Sequence, residues 1–429
     1  MSPQPSFSDV EKGPADPINL LKAEYDRDPT PSKVDLGVGV LRDEQGGCYE
    51  IPVVQEVSKS SPIRYPPQYR PTIGIEPFRR NAANLLFGAP SAALRENRVS
   101  TIQTVAGTGA CHLGAVFLRA HWPTSASAGS SSSPTNATPV LLGVPTWGNY
   151  APLFAHAGFT TIVQYPYLDS SRRVDISSVL AALRAAPDQS IVVLQACCHN
   201  PTGRDLTRAQ WTQVASVMGE KRHFAFFDAA YQGLGNDSAG DAWAVRHFVE
   251  RGDVDMLVCQ SFSKNAGLYS ERVGALHVVC GNAGVAANVL DRLRALLRWE
   301  VSSSPAYGAE LVGVVLGDEG LRGRWLGDLE AARGRMRGLR EELHGLLTKG
   351  GGGANGVDWG HLLEENGLFS FTAITPAQSR KLVEEHHIYM PENGRINVSG
   401  LNKGNIKRVA EAFKLVTKNA ESSERARLA

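Results

Sequence analysis

Short apolar runs alternate with stretches of helical character through the middle of the chain, roughly from residue 139 to residue 279. This alternation is typical of βα units and predicts a mostly parallel sheet with helices on its faces. A chain of 429 residues is also long enough for a second domain. The strands predicted from the apolar runs are 139–144, 161–164, 190–195, 223–227, 255–260 and 275–279.

Groups capable of binding a ligand follow four of these predicted strands. Trp147, Asn200, Asp228 and the segment 261–264 each come soon after an apolar run ends. In open α/β sheets, ligands bind outside the carboxyl ends of the strands. The sequence therefore predicts one site at this edge of the sheet.

Lys264 lies in the run Ser-Phe-Ser-Lys-Asn-Ala-Gly-Leu-Tyr, residues 261–269, and an arginine follows at position 272. Covalent capture of pyridoxal phosphate requires an amine beside groups that bind a dianionic phosphate. We therefore predict that Lys264 forms a Schiff base with this cofactor and that Ser261, Ser263 and Arg272 bind its phosphate. The alternative is an ordinary solvated lysine.

Asp228 ends the apolar run Phe-Phe-Asp, and Tyr231 follows three residues later. A half-buried carboxylate needs a partner, and the pyridinium nitrogen of the cofactor would be one. The ion pair would keep the ring protonated as an electron sink, with Tyr231 on the phenolic oxygen. The alternative is an aspartate that caps the N-terminus of a helix.

Two turns could complete the site. Asn200 begins the turn Asn-Pro-Thr-Gly and could donate to the same phenolic oxygen, although Asn-Pro turns are common without any function. Gly107 and Thr108 lie in Ala-Gly-Thr-Gly-Ala, a glycine-rich turn into a predicted helix, where free backbone N–H groups bind anions.

Three segments together carry a family resemblance: N-P-T-G at 200–203, D-x-A-Y-Q-G at 228–233 and S-x-S-K-N-x-G-L-Y-x-E-R-V-G at 261–274. In this order and spacing they resemble the aspartate aminotransferase family. The resemblance implies a fold-type I transferase dependent on pyridoxal phosphate. Its large domain would hold a mostly parallel seven-stranded sheet sandwiched by helices, and both termini would form a smaller α/β domain.

The resemblance also implies a role for each site residue. Lys264 would move a proton between the substrate α-carbon and the cofactor, Asp228 would pair with the ring nitrogen, and Tyr231 and Asn200 would bind the phenolic oxygen. Trp147 would lie over the ring. The implied phosphate ligands are Gly107, Thr108, Ser261, Ser263, Arg272 and, from the neighbouring subunit, Tyr69. The implied substrate ligands are Arg395 for the α-carboxylate, Gly39 closing over the substrate, Trp147, Asn200 and, from the neighbouring subunit, Arg298 for a distal carboxylate.

The protein is expected to be a homodimeric aminotransferase that depends on pyridoxal phosphate. It would exchange an amino group between a dicarboxylic amino acid, aspartate or glutamate, and a 2-oxo acid such as 2-oxoglutarate. The alternative is a related enzyme that performs β-decarboxylation, β-substitution or racemisation on an aspartate-like substrate. A non-catalytic binding protein is the third hypothesis, and the survival of the lysine, the aspartate and both arginines argues against it.

Five positions depart from the family pattern. Tyr150 and Gln195 stand where better-studied members have histidines, and both are expected near Asp228. Val301 replaces an aromatic residue, Ser303 replaces an asparagine, and Glu300 could compete with a substrate carboxylate for Arg298.

Three domain segments are predicted: an N-terminal arm with part of the small domain (1–50), a large cofactor-binding domain (51–325) and a C-terminal small domain (326–429). Within them we expect a flexible insertion at about 124–138 and a glycine-rich turn at 349–356. A long charged helix is predicted at 321–347. The C-terminal strands are predicted at 369–373, 388–389 and 395–398, and the helices at 376–386 and 403–417.

The charge and cysteine content of the chain indicate which partners and which cellular compartment to expect. With 44 basic and 43 acidic residues, the formal charge of +1 argues against nucleic acid or a membrane as partner. Six cysteines without a CxxC pair predict neither a disulfide framework nor a metal site. The start of the chain resembles no targeting segment, so we expect the protein in the cytoplasm.

Overall fold

The computed structural model describes residues 7–60, 68–122, 138–349 and 357–428, with residues 419–428 as backbone only. The predicted insertion lies outside the described residues apart from residue 138, and so does the predicted glycine-rich turn apart from residue 349. The strands are β1 Val34–Asp35, β2 Val99–Val105, β3 Val140–Val144, β4 Ile162–Pro166, β5 Ile191–Gln195, β6 Phe224–Ala229, β7 Met256–Ser261, β8 Val273–Val279, β9 Phe369–Phe371, β10 Ile388–Tyr389 and β11 Arg395–Asn397.

The helices frame these strands along the described chain. They are α1 Pro17–Arg27, α2 Pro52–Ser60, α3 Glu76–Phe87, α4 Ala92–Arg95, α5 Ala106–His121, α6 Tyr150–His156, α7 Ile176–Ala185, α8 Arg208–Glu220, α9 Ser238–Asp241, α10 Trp243–Arg251, α11 Ala283–Glu300, α12 Tyr307–Gly317, α13 Glu319–Thr348, α14 Pro376–His386 and α15 Ile406–Leu428. Two short 3-10 helices occupy Gly360–Glu364 and Val398–Gly400.

Seven strands form the large sheet in the order β2-β8-β7-β6-β5-β3-β4. The pairs from β7 to β4 are parallel, whereas β8 runs antiparallel to both β7 and β2. The predicted mostly parallel α/β sheet is therefore confirmed. Each of the six predicted strands is present, with ends shifted by at most two residues.

The edge strand β2 was absent from the sequence prediction because its residues, Val-Ser-Thr-Ile-Gln-Thr-Val, include several polar side chains. These side chains are nevertheless buried, since each finds a partner. Ser100 donates to the Ala286 carbonyl (2.6 Å), and the Thr101 hydroxyl contacts His277 Nδ1 (2.9 Å). Partners supplied by distant segments thus make a polar strand possible.

Both faces of the large sheet are buried. Phe226 and Phe227 are consecutive residues of β6, and because strand side chains alternate, they enter different hydrophobic clusters. Phe227 packs with side chains of α8 and α10, while Phe226 packs with side chains of α5 and α6. This three-layer arrangement explains why β5, β6 and β7 are almost continuously apolar.

A smaller α/β unit combines segments from both ends of the chain. Strand β1 pairs in parallel with β10, and β9 pairs antiparallel with β11. Helix α13 continues through the predicted boundary at residue 325 and packs its first half on the large domain and its second half on the small one. The boundaries after residues 50 and 325 remain predictions. In the part of the chain described above, no helix combines the length and apolar character needed to cross a bilayer.

Candidate active site

The carboxyl ends of β3, β5, β6 and β7 open into a cavity of about 1160 Å³. Twelve residues predicted from the sequence line it: Gly39, Gly107, Thr108, Trp147, Asn200, Asp228, Tyr231, Ser261, Ser263, Lys264, Arg272 and Arg395. The sheet topology therefore collects, at one place, residues that are scattered over most of the chain.

Lys264 follows β7 and points its amine into the cavity. Burial lowers the pKa of this amine below its ordinary value, Asp228 opposes that effect, and the nearby Arg272 guanidinium lowers the pKa further. Lys264 Nζ lies 5.0 Å from the centroid of the Tyr231 ring. An amine held more easily in its neutral form can act as a nucleophile or a base.

Asp228 occupies the carboxyl end of β6 inside the sheet, so the alternative of a helix-capping aspartate is wrong. Tyr150 donates a hydrogen bond to its Oδ2 (2.7 Å). Within the described residues, nothing donates to the buried Oδ1. Burial raises the pKa of the carboxyl, while Tyr150 and Lys264 lower it. The protonated ring nitrogen of pyridoxal phosphate would supply the missing donor.

A second set of groups forms an anion cup at the start of α5. Gly107 stands in the first turn of this helix, where backbone N–H groups are free of intrahelical partners. A Cβ at Gly107 would lie 3.0 Å from the Ser261 Cβ, so the helix start and β7 are in close contact. Arg272 donates to Ser263 Oγ (3.4 Å) and to the Tyr269 carbonyl (2.9 Å). Backbone amides, hydroxyls and a guanidinium thus lie together here, and these are the groups that bind a dianion such as phosphate.

The Gln195 side chain makes two hydrogen bonds to the backbone of Asn200. Its Oε1 accepts from the Asn200 N–H (2.8 Å), and its Nε2 donates to the Asn200 carbonyl (3.0 Å). Gln195 also pairs in register with Asp228 across β5 and β6. Both departures from the histidine pattern, Tyr150 and Gln195, therefore lie next to Asp228 as expected.

Arg395 lies at the start of β11 and reaches the same cavity. Its Nη1 donates to Asn200 Oδ1 (3.4 Å), its Nη2 donates to the Gly37 carbonyl (2.5 Å), and its guanidinium stacks on Phe369 at 4.5 Å from the ring centroid. A Cβ at Gly39 would lie 2.9 Å from the same ring, which explains why a small residue is needed there.

Two features of the cavity lining were not predicted from the sequence. Phe369 was predicted only as part of a strand, since nothing in its spacing placed it against Arg395. Ile18 and Leu21 of α1 also line the cavity. The apolar spacing of α1 was the available signal, but an amphipathic helix alone does not show what its apolar face covers.

Tyr69 and Arg298 do not line this cavity within the described chain. Tyr69 is 93% exposed, and Arg298 is an exposed residue in the last turn of α11, where it donates to Ser302 Oγ. The neighbouring Trp299 is 72% exposed. Their assignment to a neighbouring subunit is therefore still a prediction.

The chain is similar to known proteins over nearly its whole length. Residues 31–413 match the family model described as Aminotransferase class I and II. The chain belongs to this family. Over 422 residues it is 38% identical to aspartate aminotransferase 3, chloroplastic, of Arabidopsis thaliana, with 96% of this chain and 89% of the relative covered.

Solved structures of aminotransferases have the same fold. The aspartate aminotransferase from Saccharomyces cerevisiae cytoplasm gives a TM-score of 0.89 at 36% identity, covering 96% of this chain and 98% of that one. The aromatic-amino-acid aminotransferase from Burkholderia pseudomallei, covalently bound to pyridoxal phosphate, gives 0.89 at 37% identity, covering 97% and 100%. The predicted fold type is confirmed, and these relatives give no support to the alternative of β-decarboxylation, β-substitution or racemisation.

In this aminotransferase a buried carboxylate lies behind the turn that carries Asn200. Gly203 closes the turn at a φ of +65°, and a Cβ there would lie 2.5 Å from the Phe369 carbonyl oxygen and 3.0 Å from the Glu365 Cβ. Burial raises the pKa of Glu365 to about 7, although the Arg340 guanidinium acts to lower it. The turn thus rests on a carboxyl group that titrates near neutrality.

Replacing Glu365 with glutamine is expected to flatten the pH dependence of stability. The folded protein, with the Glu365 pKa at about 7, holds a proton that the unfolded chain, near the usual value of 4.5, has lost. The wild-type free energy of unfolding therefore falls as pH rises from about 4.5 to about 7, by at most about 1.4 kcal/mol per pH unit. Thermal unfolding midpoints of wild type and Glu365→Gln across this range measure the difference.

Glu364→Gln is the control, because the side chain of Glu364 is largely exposed and its pKa is lowered by its hydrogen bond to Arg204. This variant is expected to keep the wild-type slope between about pH 4.5 and 7. Midpoints of Glu365→Gln that run parallel to those of the wild type would contradict the prediction.

Proposed function

We propose that this member of the family is a pyridoxal-phosphate-dependent aminotransferase that moves an amino group between aspartate or glutamate and a 2-oxo acid such as 2-oxoglutarate. One observation carries the proposal: the amine of Lys264 and the unpartnered Oδ1 of Asp228 belong to the same cavity. The aspartate aminotransferases among its relatives support the substrate class.

The residues present fit this cofactor. When bound, pyridoxal phosphate supplies an aldehyde that joins amines covalently and a ring that withdraws electrons from the substrate α-carbon. Asp228 Oδ1 would hold the proton on the ring nitrogen, and the Tyr150 hydroxyl would keep the carboxylate turned so that this oxygen stays free. Tyr231 and Asn200 would bind the phenolic oxygen, with Trp147 over the ring.

The phosphate would lie in the anion cup at the start of α5. Backbone N–H groups at Gly107 and Thr108 and the hydroxyls of Ser261 and Ser263 would donate to its oxygens. Arg272 would add a charge-assisted hydrogen bond. Holding the phosphate in this way would also position the reactive end of the cofactor relative to Lys264.

Lys264 Nζ would accept the proton from the substrate α-carbon and return it on the cofactor side. Its lowered pKa favours the neutral amine that such a transfer needs. Arg395 would bind the substrate α-carboxylate, since a planar guanidinium matches a carboxylate with two parallel hydrogen bonds. Gly39 would let the chain close over the substrate and exclude water.

We further propose a homodimer in which each subunit lends Tyr69 and Arg298 to the cavity of the other. Tyr69, Trp299 and Val301 are exposed apolar or aromatic side chains, and a protein surface that presents such groups is suited to a partner. Arg298 would then bind the distal carboxylate of the substrate. The cytoplasm remains the proposed compartment, consistent with six free cysteines.

The function is tested by mixing the cofactor-loaded protein with aspartate or glutamate in single-turnover spectroscopy. We expect conversion of the cofactor to its amine form with release of the matching 2-oxo acid. Lys264→Ala is expected to lose the absorbance of the lysine-bound cofactor and nearly all turnover, whereas Lys381→Ala, an exposed lysine of α14, keeps both. Alanine as the product from aspartate, without stoichiometric 2-oxo acid, would favour β-decarboxylation instead.

Arg298→Ala is expected to lose dicarboxylic substrates selectively. Removing one partner of a buried, hydrogen-bonded ion pair costs about 2–5 kcal/mol, which is roughly 30-fold to several thousand-fold in kcat/KM for aspartate. The kcat/KM for phenylalanine, which has no distal carboxylate, should change little. Steady-state kinetics with both donors measure the ratio.

Arg294→Ala is the matched control, because Arg294 lies one turn earlier on α11 and pairs with Asp291 on the surface. It should leave both donors unaffected. An equal loss of aspartate and phenylalanine in Arg298→Ala would show that this arginine does not select the distal carboxylate.

A further inference from the structure

The residues that follow Lys264 and Tyr231 are hydrogen-bonded to each other. Asn265 Nδ2 donates to the Gln232 carbonyl at 2.9 Å. Both residues are buried, with 0% and 1% of their surface exposed. One bond therefore joins the loop that carries the amine to the loop that carries the phenol, directly beneath the cavity.

Helix α13 holds the same two loops from outside the cavity. Its residues Trp325, Leu329 and Arg333 are spaced by four and therefore share one face. Trp325 Nε1 donates to the Asn265 carbonyl (2.8 Å), and Arg333 Nη1 donates to the Gly233 carbonyl (2.7 Å). A single stripe of one helix thus fixes both loops.

Gly233 allows Leu329 of α13 to pack closely against the loop after Tyr231. Its φ is +93°, and a Cβ at this position would lie 2.6 Å from Leu329 Cδ1. Both the positive φ and the close approach require glycine. The loop after Tyr231 consequently lies flat against α13.

Gln232 is anchored from the side of the sheet by a chain of buried polar groups. Gln260 Nε2 donates to Gln232 Oε1 (3.2 Å), and Gln260 Oε1 contacts His277 Nε2 (3.0 Å). Burial lowers the pKa of His277 to about 3, so the ring is neutral. His277 Nε2–H then donates to Gln260, and the Thr101 hydroxyl donates to Nδ1 at 2.9 Å. The residue whose carbonyl Asn265 binds is therefore tied through its side chain to strands β7 and β8.

We propose that Asn265 is a positioning residue for the transamination, which sets where Lys264 Nζ stands relative to Tyr231 by joining their two loops. The inference rests on the proposed function, because it concerns proton transfer by Lys264. Proton transfer depends steeply on geometry, and a displacement of about 1 Å can cost about 100-fold in rate. Without the amide of Asn265, α13 and the Gln260–Gln232 bond still hold the two loops, but the direct bond between the residues next to Lys264 and Tyr231 is lost.

The test compares Asn265→Ala with Asn81→Ala. Asn81 is also buried, and its Nδ2 also donates to a backbone carbonyl, that of Gly313, at 3.0 Å, while neither residue lines the cavity. Each variant thus loses one buried amide-to-carbonyl hydrogen bond. Turnover per cofactor-loaded site is measured with aspartate and with aspartate deuterated at the α-carbon.

We expect Asn265→Ala to lower kcat about 10-fold to 100-fold. KM should stay within about threefold, and the deuterium isotope effect should rise toward its full value as proton transfer becomes rate-limiting. Asn81→Ala is expected to keep the wild-type kcat and isotope effect. A merely structural role would lower the number of loaded sites in both variants alike and would leave turnover per site unchanged.

A second variant and a second measurement cover the case in which Asn265→Ala fails to fold. Trp325→Phe keeps the aromatic bulk and removes only the indole N–H bond to the Asn265 carbonyl, and it is expected to lower kcat in the same direction. In the cofactor-free protein, backbone hydrogen exchange of residues 261–269 should be faster than wild type in both of these variants and unchanged in Asn81→Ala.

The inference is overturned if turnover per site and hydrogen exchange in Asn265→Ala, or in Trp325→Phe where only that variant folds, match those of Asn81→Ala. This outcome is separate from failure of the proposed function. If the proposed function itself were wrong, the wild type would give no 2-oxo acid from aspartate.

Discussion

The structure depends on one buried carboxylate that is only half satisfied. Asp228 is placed at the end of a central strand, where an ionised group is costly unless it is paired. Tyr150 satisfies one oxygen, and the other has no donor within the described residues. A site that retains such an oxygen has a defined chemical complement, which is a cationic N–H donor. The Lys264 amine, the anion cup and the Arg395 guanidinium line the same cavity as this carboxylate.

Much of this site could be predicted from the sequence because its parts are local. Asn200, Asp228 and Lys264 each follow a strand that is evident from its apolar residues, and parallel pairing then brings the strand ends together without further information. What could not be predicted depended on partners far apart in sequence. Strand β2 is polar, and only contacts with distant segments allow it to be buried. Phe369 under Arg395 likewise follows from the pairing of β9 with β11, strands far apart in the sequence, which no local pattern encodes.

The long helix α13 shows how the domains are joined. Its first half carries Trp325 and Arg333, which hold the two loops beneath the cavity, and its second half carries Arg340, which donates to the Gly367 and Phe369 carbonyls of the small domain. One helix is therefore hydrogen-bonded both to the loops that carry Lys264 and Tyr231 and to the small domain. The same small domain carries Arg395, so α13 connects the proposed substrate-binding arginine with the loops that carry Lys264 and Tyr231.

Tyr150 gives the Asp228 carboxylate a neighbour whose charge does not change with pH. Burial and the carboxylate itself raise the pKa of the Tyr150 hydroxyl well above its ordinary value, so it stays neutral and donates to Oδ2. A histidine in this place, unlike tyrosine, would carry a positive charge beside the carboxylate whenever it was protonated. With tyrosine there, the remaining influences on the ionisation of Asp228 are burial and the Lys264 amine. The ionisation of Asp228 is thereby coupled to the charge of the Lys264 amine, the group proposed to transfer the proton.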